Sequence, residues 1–142
     1  MKYFNTQLEL SGATLLSVKD TIYLPHKERV YHFSWWLRTP SYSSDPGYFV
    51  HYNGHVHRDG DYVNDYNGIR PALVISNLGG FKVGDIFSIG EYKFKIISPT
   101  LAWMYLQDIG KNYFDDKSND YETSHVKQII DAWFEKLKDE MV

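Results

Sequence analysis

The clearest pattern of apolar and polar positions lies near the end of the chain. Val126, Ile129, Ile130, Trp133, Phe134, Leu137 and Met141 recur at helical spacing, while Lys127, Gln128, Asp131, Glu135, Lys138 and Asp139 fall on the opposite side. This predicts an amphipathic helix over 124–141, with Ser124 or Thr123 as its N-cap and its apolar face laid on a sheet. The other use of such a face is to dock in a partner's groove. Upstream, a period of two takes over. Residues 86–89 and 92–97 flank Gly90-Glu91 and read as a hairpin, where glycine at the first loop position suits a type II′ turn. Tyr92, Phe94 and Ile96 point to one face and Lys93 and Lys95 to the other. The runs 13–18 and 72–75 suit central strands, and 101–109 fits a short helix or a strand equally well. Within 33–37, Trp35 and Trp36 are strand neighbours and must face opposite sides.

In the middle, Asn53-Gly54 separates 49–52 from 55–58 and reads as a hairpin with a type I′ turn. A two-residue loop pairs Tyr52 with His55, His51 with Val56 and Val50 with His57. That register turns His51 away from His55 and His57. With no linker and no repeat, these elements predict one α+β domain over 1–142. It is a twisted, mainly antiparallel sheet with the C-terminal helix packed on it, built from a 1–78 part and an 81–142 hairpin-plus-helix part.

Composition narrows the function. The chain has 142 residues, 43% hydrophobic and 23% charged, enough for a core without disulfide or metal staples. Fifteen Lys and Arg against 18 Asp and Glu give a net charge of −3, which argues against a nucleic-acid-coating surface. There is no cysteine, so thiol nucleophiles, disulfides and Cys-ligated metals are excluded. The first residues carry no apolar h-region and no long apolar run follows, so neither export nor membrane spanning is expected and a cytoplasmic location is.

Three histidines within seven residues (His51, His55, His57) invite a metal, but the expected register separates them. Asp59, Asp61 and Asp65 sit in a segment that breaks the EF-hand pattern at its fifth, sixth and twelfth places, and the expectation is no cofactor and no metal. No phosphate loop, HExxH or GxSxG motif occurs, so no enzyme is expected. What stands out is 17% aromatic residues, with Tyr42, Tyr48, Tyr52, Tyr62 and Tyr66 set among Ser, Asp, Asn and Gly over residues 41–67. Rigid, amphipathic tyrosines among small polar residues are the chemistry of a protein-binding surface. Tyrosine is also a good strand former, and part of the set suits a sheet face.

Three segments carry a family likeness: Trp35-Trp36-Leu37-Arg38-Thr39-Pro40, Phe49-Val50-His51-Tyr52-Asn53-Gly54-His55-Val56, and Gly68-Ile69-Arg70-Pro71-Ala72-Leu73-Val74-Ile75. In order and spacing they resemble an uncharacterised bacterial and phage domain family with WWLR(S/T)P and G(V/I)RPAL motifs. That family looks like a relative of the C-type-lectin-like fold of formylglycine-generating proteins and phage receptor-binding proteins. The resemblance implies a circularly permuted frame, because the hairpin and helix that usually lead here follow. The permutation is completed within one chain or, by a strand swap, between copies. It also implies structural roles for Trp35, Trp36, Arg38 and Arg70. The copper-dependent oxidation of the formylglycine-generating relatives needs cysteines and does not carry over.

The resulting expectation is a non-enzymatic module that binds a macromolecule, a protein first, through Tyr42, Tyr48, Tyr52, His55, His57, Asp61, Tyr62 and Tyr66 on a long loop region at one edge of the sheet. A phage- or prophage-encoded effector acting on a host protein is one form of it. Carbohydrate binding, with or without calcium, and a structural phage component are the alternatives.

Overall fold

The computed structural model of the chain describes residues 1–40, 46–63 and 65–141, except for the side chains of Pro46 and residues 58–62. In chain order the strands are β1 (Glu9–Thr14), β2 (Trp35–Pro40), β3 (Pro46–Val50), β4 (Val56–Tyr62), β5 (Tyr66–Gly68), β6 (Ala72–Asn77), β7 (Ile86–Ile89), β8 (Tyr92–Ser98), β9 (Leu101–Met104) and β10 (Lys111–Tyr113). The helices are a single turn, α1 (His26–Arg29), and α2 (His125–Asp139). The strands make two five-stranded sheets, not the one expected, in the orders β1-β6-β9-β8-β7 and β10-β5-β2-β3-β4. Among the described residues every strand pairing is antiparallel except that of β2 with β5, which meet in parallel at Trp35 and Gly68.

Two sheets follow from the adjacent tryptophans. Strand neighbours project to opposite faces, so both faces of β2 need cover. Trp35 is wholly buried with Val50, Ala72, Ile97 and Trp103, where the two sheets meet. Trp36 is wholly buried on the other face with Phe49, Phe114, Val126 and Ile130. The helix α2 therefore serves two cores. Val126 and Ile130 close the Trp36 side, and Phe134 and Leu137, with Met141 just beyond the helix, cover the first sheet beside Leu10, Phe94 and Ile96. Ser124 Oγ accepts from Lys127 N–H at 3.0 Å, the N-cap that the sequence places there. Trp133 is only half-buried, edge-on to Tyr92 at 5.5 Å.

The hairpin of β7 and β8 closes through Gly90-Glu91 with Ile89 opposite Tyr92, and Gly90 has φ +58° as its turn requires. Residues 101–104 resolve as strand β9. The run 13–18 is corrected. The strand ends at Thr14, and Leu15 and Leu16, both wholly buried, leave it to fill two different cores. That strand, β1, is also an outer one, whereas β6 lies between β1 and β9 as a central strand should. Strands of the 81–142 part complete both sheets within the one chain, through β9 on β6 and β10 on β5.

Candidate functional site

The hairpin of β3 and β4 closes one residue differently from the sequence expectation. His51 N–H donates to His55 O and Gly54 N–H donates to His51 O, both at 2.8 Å, and the pairs are Val50 with Val56 and Phe49 with His57. A type I′ turn needs two left-handed residues. This loop of three needs one, which Gly54 supplies at φ +92°, while Asn53 is not left-handed and instead accepts His55 N–H on Oδ1 at 3.0 Å. Shifting the register by one changes the face of every side chain on one strand. His51 therefore lies 5.1 Å from His57, which stacks on Phe49 at 5.0 Å, and the expected separation of His51 from His57 is overturned. His55 turns to His26, with the rings 5.3 Å apart. Among the described residues no three His, Asp or Glu side chains are grouped as a metal would need.

The tyrosines do not form one loop. Pairing of 46–50 and 56–62 into strands leaves only the tip between them, which corrects the expected long loop region. Tyr52 stands at the tip, 56% exposed. Tyr48 is half-buried on the other face of β3, against the Trp35 core. Tyr66 is exposed on β5, two strands away, beside Tyr113 at 6.0 Å. Tyr42 and the side chains of Asp61 and Tyr62 lie outside the described residues, as do those of Arg58 and Asp59.

The tip has neighbours that the sequence reading missed. Tyr31 N–H donates to Tyr52 O at 3.2 Å, and a Cβ on Gly54 would meet the His26 ring at 2.9 Å and Val30 at 3.1 Å. Beside it a 3-10 turn, Lys19–Tyr23, holds Ile22 81% exposed and Tyr23 half-exposed. Lys19, Ile22 and Tyr23 line an open groove of about 610 Å³ together with Arg29 and Val56. Nothing in the local pattern announces this: Ile22-Tyr23-Leu24 is a three-residue apolar run without period, of which Leu24 is buried while Ile22 and Tyr23 are exposed.

Motif residues hold this rim from below. Trp35 Nε1 donates to Arg29 O at 3.1 Å. Arg70, wholly buried, lays its guanidinium 4.1 Å from the Tyr31 ring, 4.1 Å from that of Trp103 and 4.9 Å from that of Trp35. Its Nε donates to Gln107 O at 3.1 Å. Burial pulls the Arg70 pKa down to about 10, against the opposing influence of Tyr31, Asp108 and Glu28, so the group stays cationic at neutral pH. Tyr31 donates its hydroxyl to Asp108 Oδ2 at 2.5 Å, and burial first, then that carboxylate, push its own pKa well up. Such a desolvated cation among aromatic faces is a rigid joint. It passes through Tyr31 to the backbone of Tyr52. Arg38 is tied elsewhere, to Leu15 O at 2.9 Å and Asp20 Oδ2 at 3.1 Å.

The site thus offers an apolar and cationic surface on a braced base. No helix among the described residues is long and apolar enough to cross a membrane. No curated protein and no solved structure matches the chain. Residues 2–77, more than half the length, match the family described as a domain of unknown function, DUF6273, and the chain belongs to that family.

Proposed function

We propose that the protein is a non-enzymatic module that recognises a partner protein through the rim made by the hairpin tip, α1 and the 19–23 turn. The observation that carries this reading is the exposure of Ile22 and Tyr23 on the groove wall and of Val30 and Tyr52 at the hairpin tip, four large side chains each more than 40% exposed, over a base locked by Trp35 and Arg70. Single exposed apolar residues are ordinary, whereas several on one braced frame beside a groove suit an interaction surface. Tyrosine anchors contribute contact area at low entropic cost, and a pre-set rim loses little freedom on binding.

The frame is of the C-type-lectin-like kind in permuted order. The residue resemblance supports this, as does the meeting of Leu8 and Leu10 with Met141 in one cluster, which brings the two ends of the described chain together. The effector role on a host protein belongs to the same reading.

The test is retention of proteins from a lysate of the source cell by the immobilised chain, against the double variant Ile22→Ser, Tyr52→Ala with an unchanged circular dichroism spectrum. The variant is expected to lose the proteins that the wild type retains. Equal retention by both overturns the reading.

A further inference from the structure

We propose that the groove between the 19–23 turn and the start of β4 takes an extended, acidic segment of the partner protein, with a carboxylate between Lys19 and Arg29 and an apolar side chain on Ile22 and Tyr23. This rests on the protein-binding reading and deepens it by naming the chemistry of the partner.

Charge is the first argument. The chain carries a net charge of −3, yet among the described residues the groove is lined by two cations and no acid. The acids beside it in sequence are each paired with a cation outside the groove. Asp20 Oδ2 accepts from Arg38 and from Ser17 N–H at 2.8 Å, and Glu28 Oε1 pairs with Lys95 Nζ at 2.5 Å. The bond from Trp35 to its carbonyl holds the backbone of Arg29, and Arg29 Nη2 meets the His26 ring nitrogen at 3.2 Å. A guanidinium lining the same groove as a lysine suits a carboxylate, which accepts from the planar fork in charge-assisted bonds.

Form is the second argument. Val56, on the groove wall, opens β4, which among the described residues pairs only with β3 and is the outer strand of its sheet. An outer strand offers unpaired backbone groups that an extended chain can meet, while pockets beside it choose the side chains. The groove's apolar wall and exposed turn then favour an apolar or aromatic residue next to the acid.

The experiment is fluorescence anisotropy with three labelled peptides: Glu-Glu-Tyr-Glu-Phe-Glu-Glu, the same sequence with every Glu replaced by Gln, and the same with every Glu replaced by Lys. A short oligothymidylate controls for anions in general. The wild-type chain is expected to bind the acidic peptide at least about tenfold more tightly than the Gln peptide and not to bind the Lys peptide, a tenfold step being the scale of one charge-assisted contact. Arg29→Gln and Lys19→Gln should each remove most of that preference, and Lys19→Gln keeps the test open should Arg29→Gln not fold. Equal binding of the acidic and Gln peptides, tighter binding of the oligothymidylate, or a preference that both variants leave unchanged overturns the proposal. If the preference fails while retention from lysate still depends on Ile22 and Tyr52, the groove chemistry is wrong and the protein-binding reading stands. If both fail, both are wrong.

Discussion

Around α2 and around the hairpin tip the chain sets out the same kinds of side chain, large aliphatics and aromatics, and treats them in opposite ways. Under α2 they are closed off: Ile130 is wholly buried, and Leu137, Met141 and Phe134 are less than a tenth exposed. At the tip and the groove beside it, Ile22, Tyr23, Val30 and Tyr52 are exposed. Composition is therefore no guide to which apolar residues hold the fold. The helix side gains its stability from area removed from water, whereas the rim gains nothing from its exposed groups and gets its shape from below. What it gets from below is polar: the Trp35 bond to Arg29, the Arg70 stack on Tyr31, and the backbone bond from Tyr31 to Tyr52.

The largest effect should come from opening the helix side. Phe134→Ala removes a buried ring from the cluster that α2 shares with Leu10, Phe94 and Ile96, and should cost about 3–5 kcal/mol by urea denaturation. If it unfolds with less than about 1 kcal/mol lost, α2 is not the lid of this core. The rim groove, which shares no cluster with Phe134, should keep its peptide preference in the folded fraction.

A middle effect belongs to the joint between the two regions. Arg70→Lys keeps the charge but gives up the planar guanidinium that lies against Tyr31, Trp103 and Trp35. An ammonium is more strongly hydrated and cannot stack in this way, so about 2 kcal/mol should be lost. A structural role confined to the core would stop there. A joint that sets the rim should also speed amide hydrogen exchange at Tyr31, whose N–H is bonded to Tyr52 O. Unchanged exchange at Tyr31 in a destabilised Arg70→Lys protein would detach the rim from its proposed support.

How much of this could be read from the sequence follows the range of the interactions. The helix, its cap at Ser124 and the Gly90 turn were legible because each is decided by residues within one or two turns of the chain. The opposite facing of Trp35 and Trp36 was legible for the same reason. That this forces two sheets was not, because the covering residues come from β6, β9 and α2, far along the chain. The middle hairpin was legible as a hairpin and misread in its register: Asn-Gly favours the two-residue turn locally, while the pairing of Val50 with Val56 keeps both valines toward the Trp35 core. The rim was half legible. Tyr52 and His55 were read as surface residues, but His26, Val30 and Tyr31 reach the tip only through the path from Pro25 to Tyr31, which no periodicity records.

The smallest effect is the one that decides what the exposed apolar groups are for. Ile22 belongs to none of the three buried clusters and is 81% exposed, so Ile22→Ser removes little buried area and should change unfolding free energy by no more than about 0.5 kcal/mol. A loss of about 2 kcal/mol would mean that Ile22 packs in solution, and the contrast with the α2 side would collapse. A near-zero change removes stability as the reason for an isoleucine in water at that position. The same side chain forms part of the groove wall beside Lys19 and Arg29. An exposed isoleucine that adds nothing to folding, held next to two cations on a braced rim, is then accounted for by what it touches when the groove is filled.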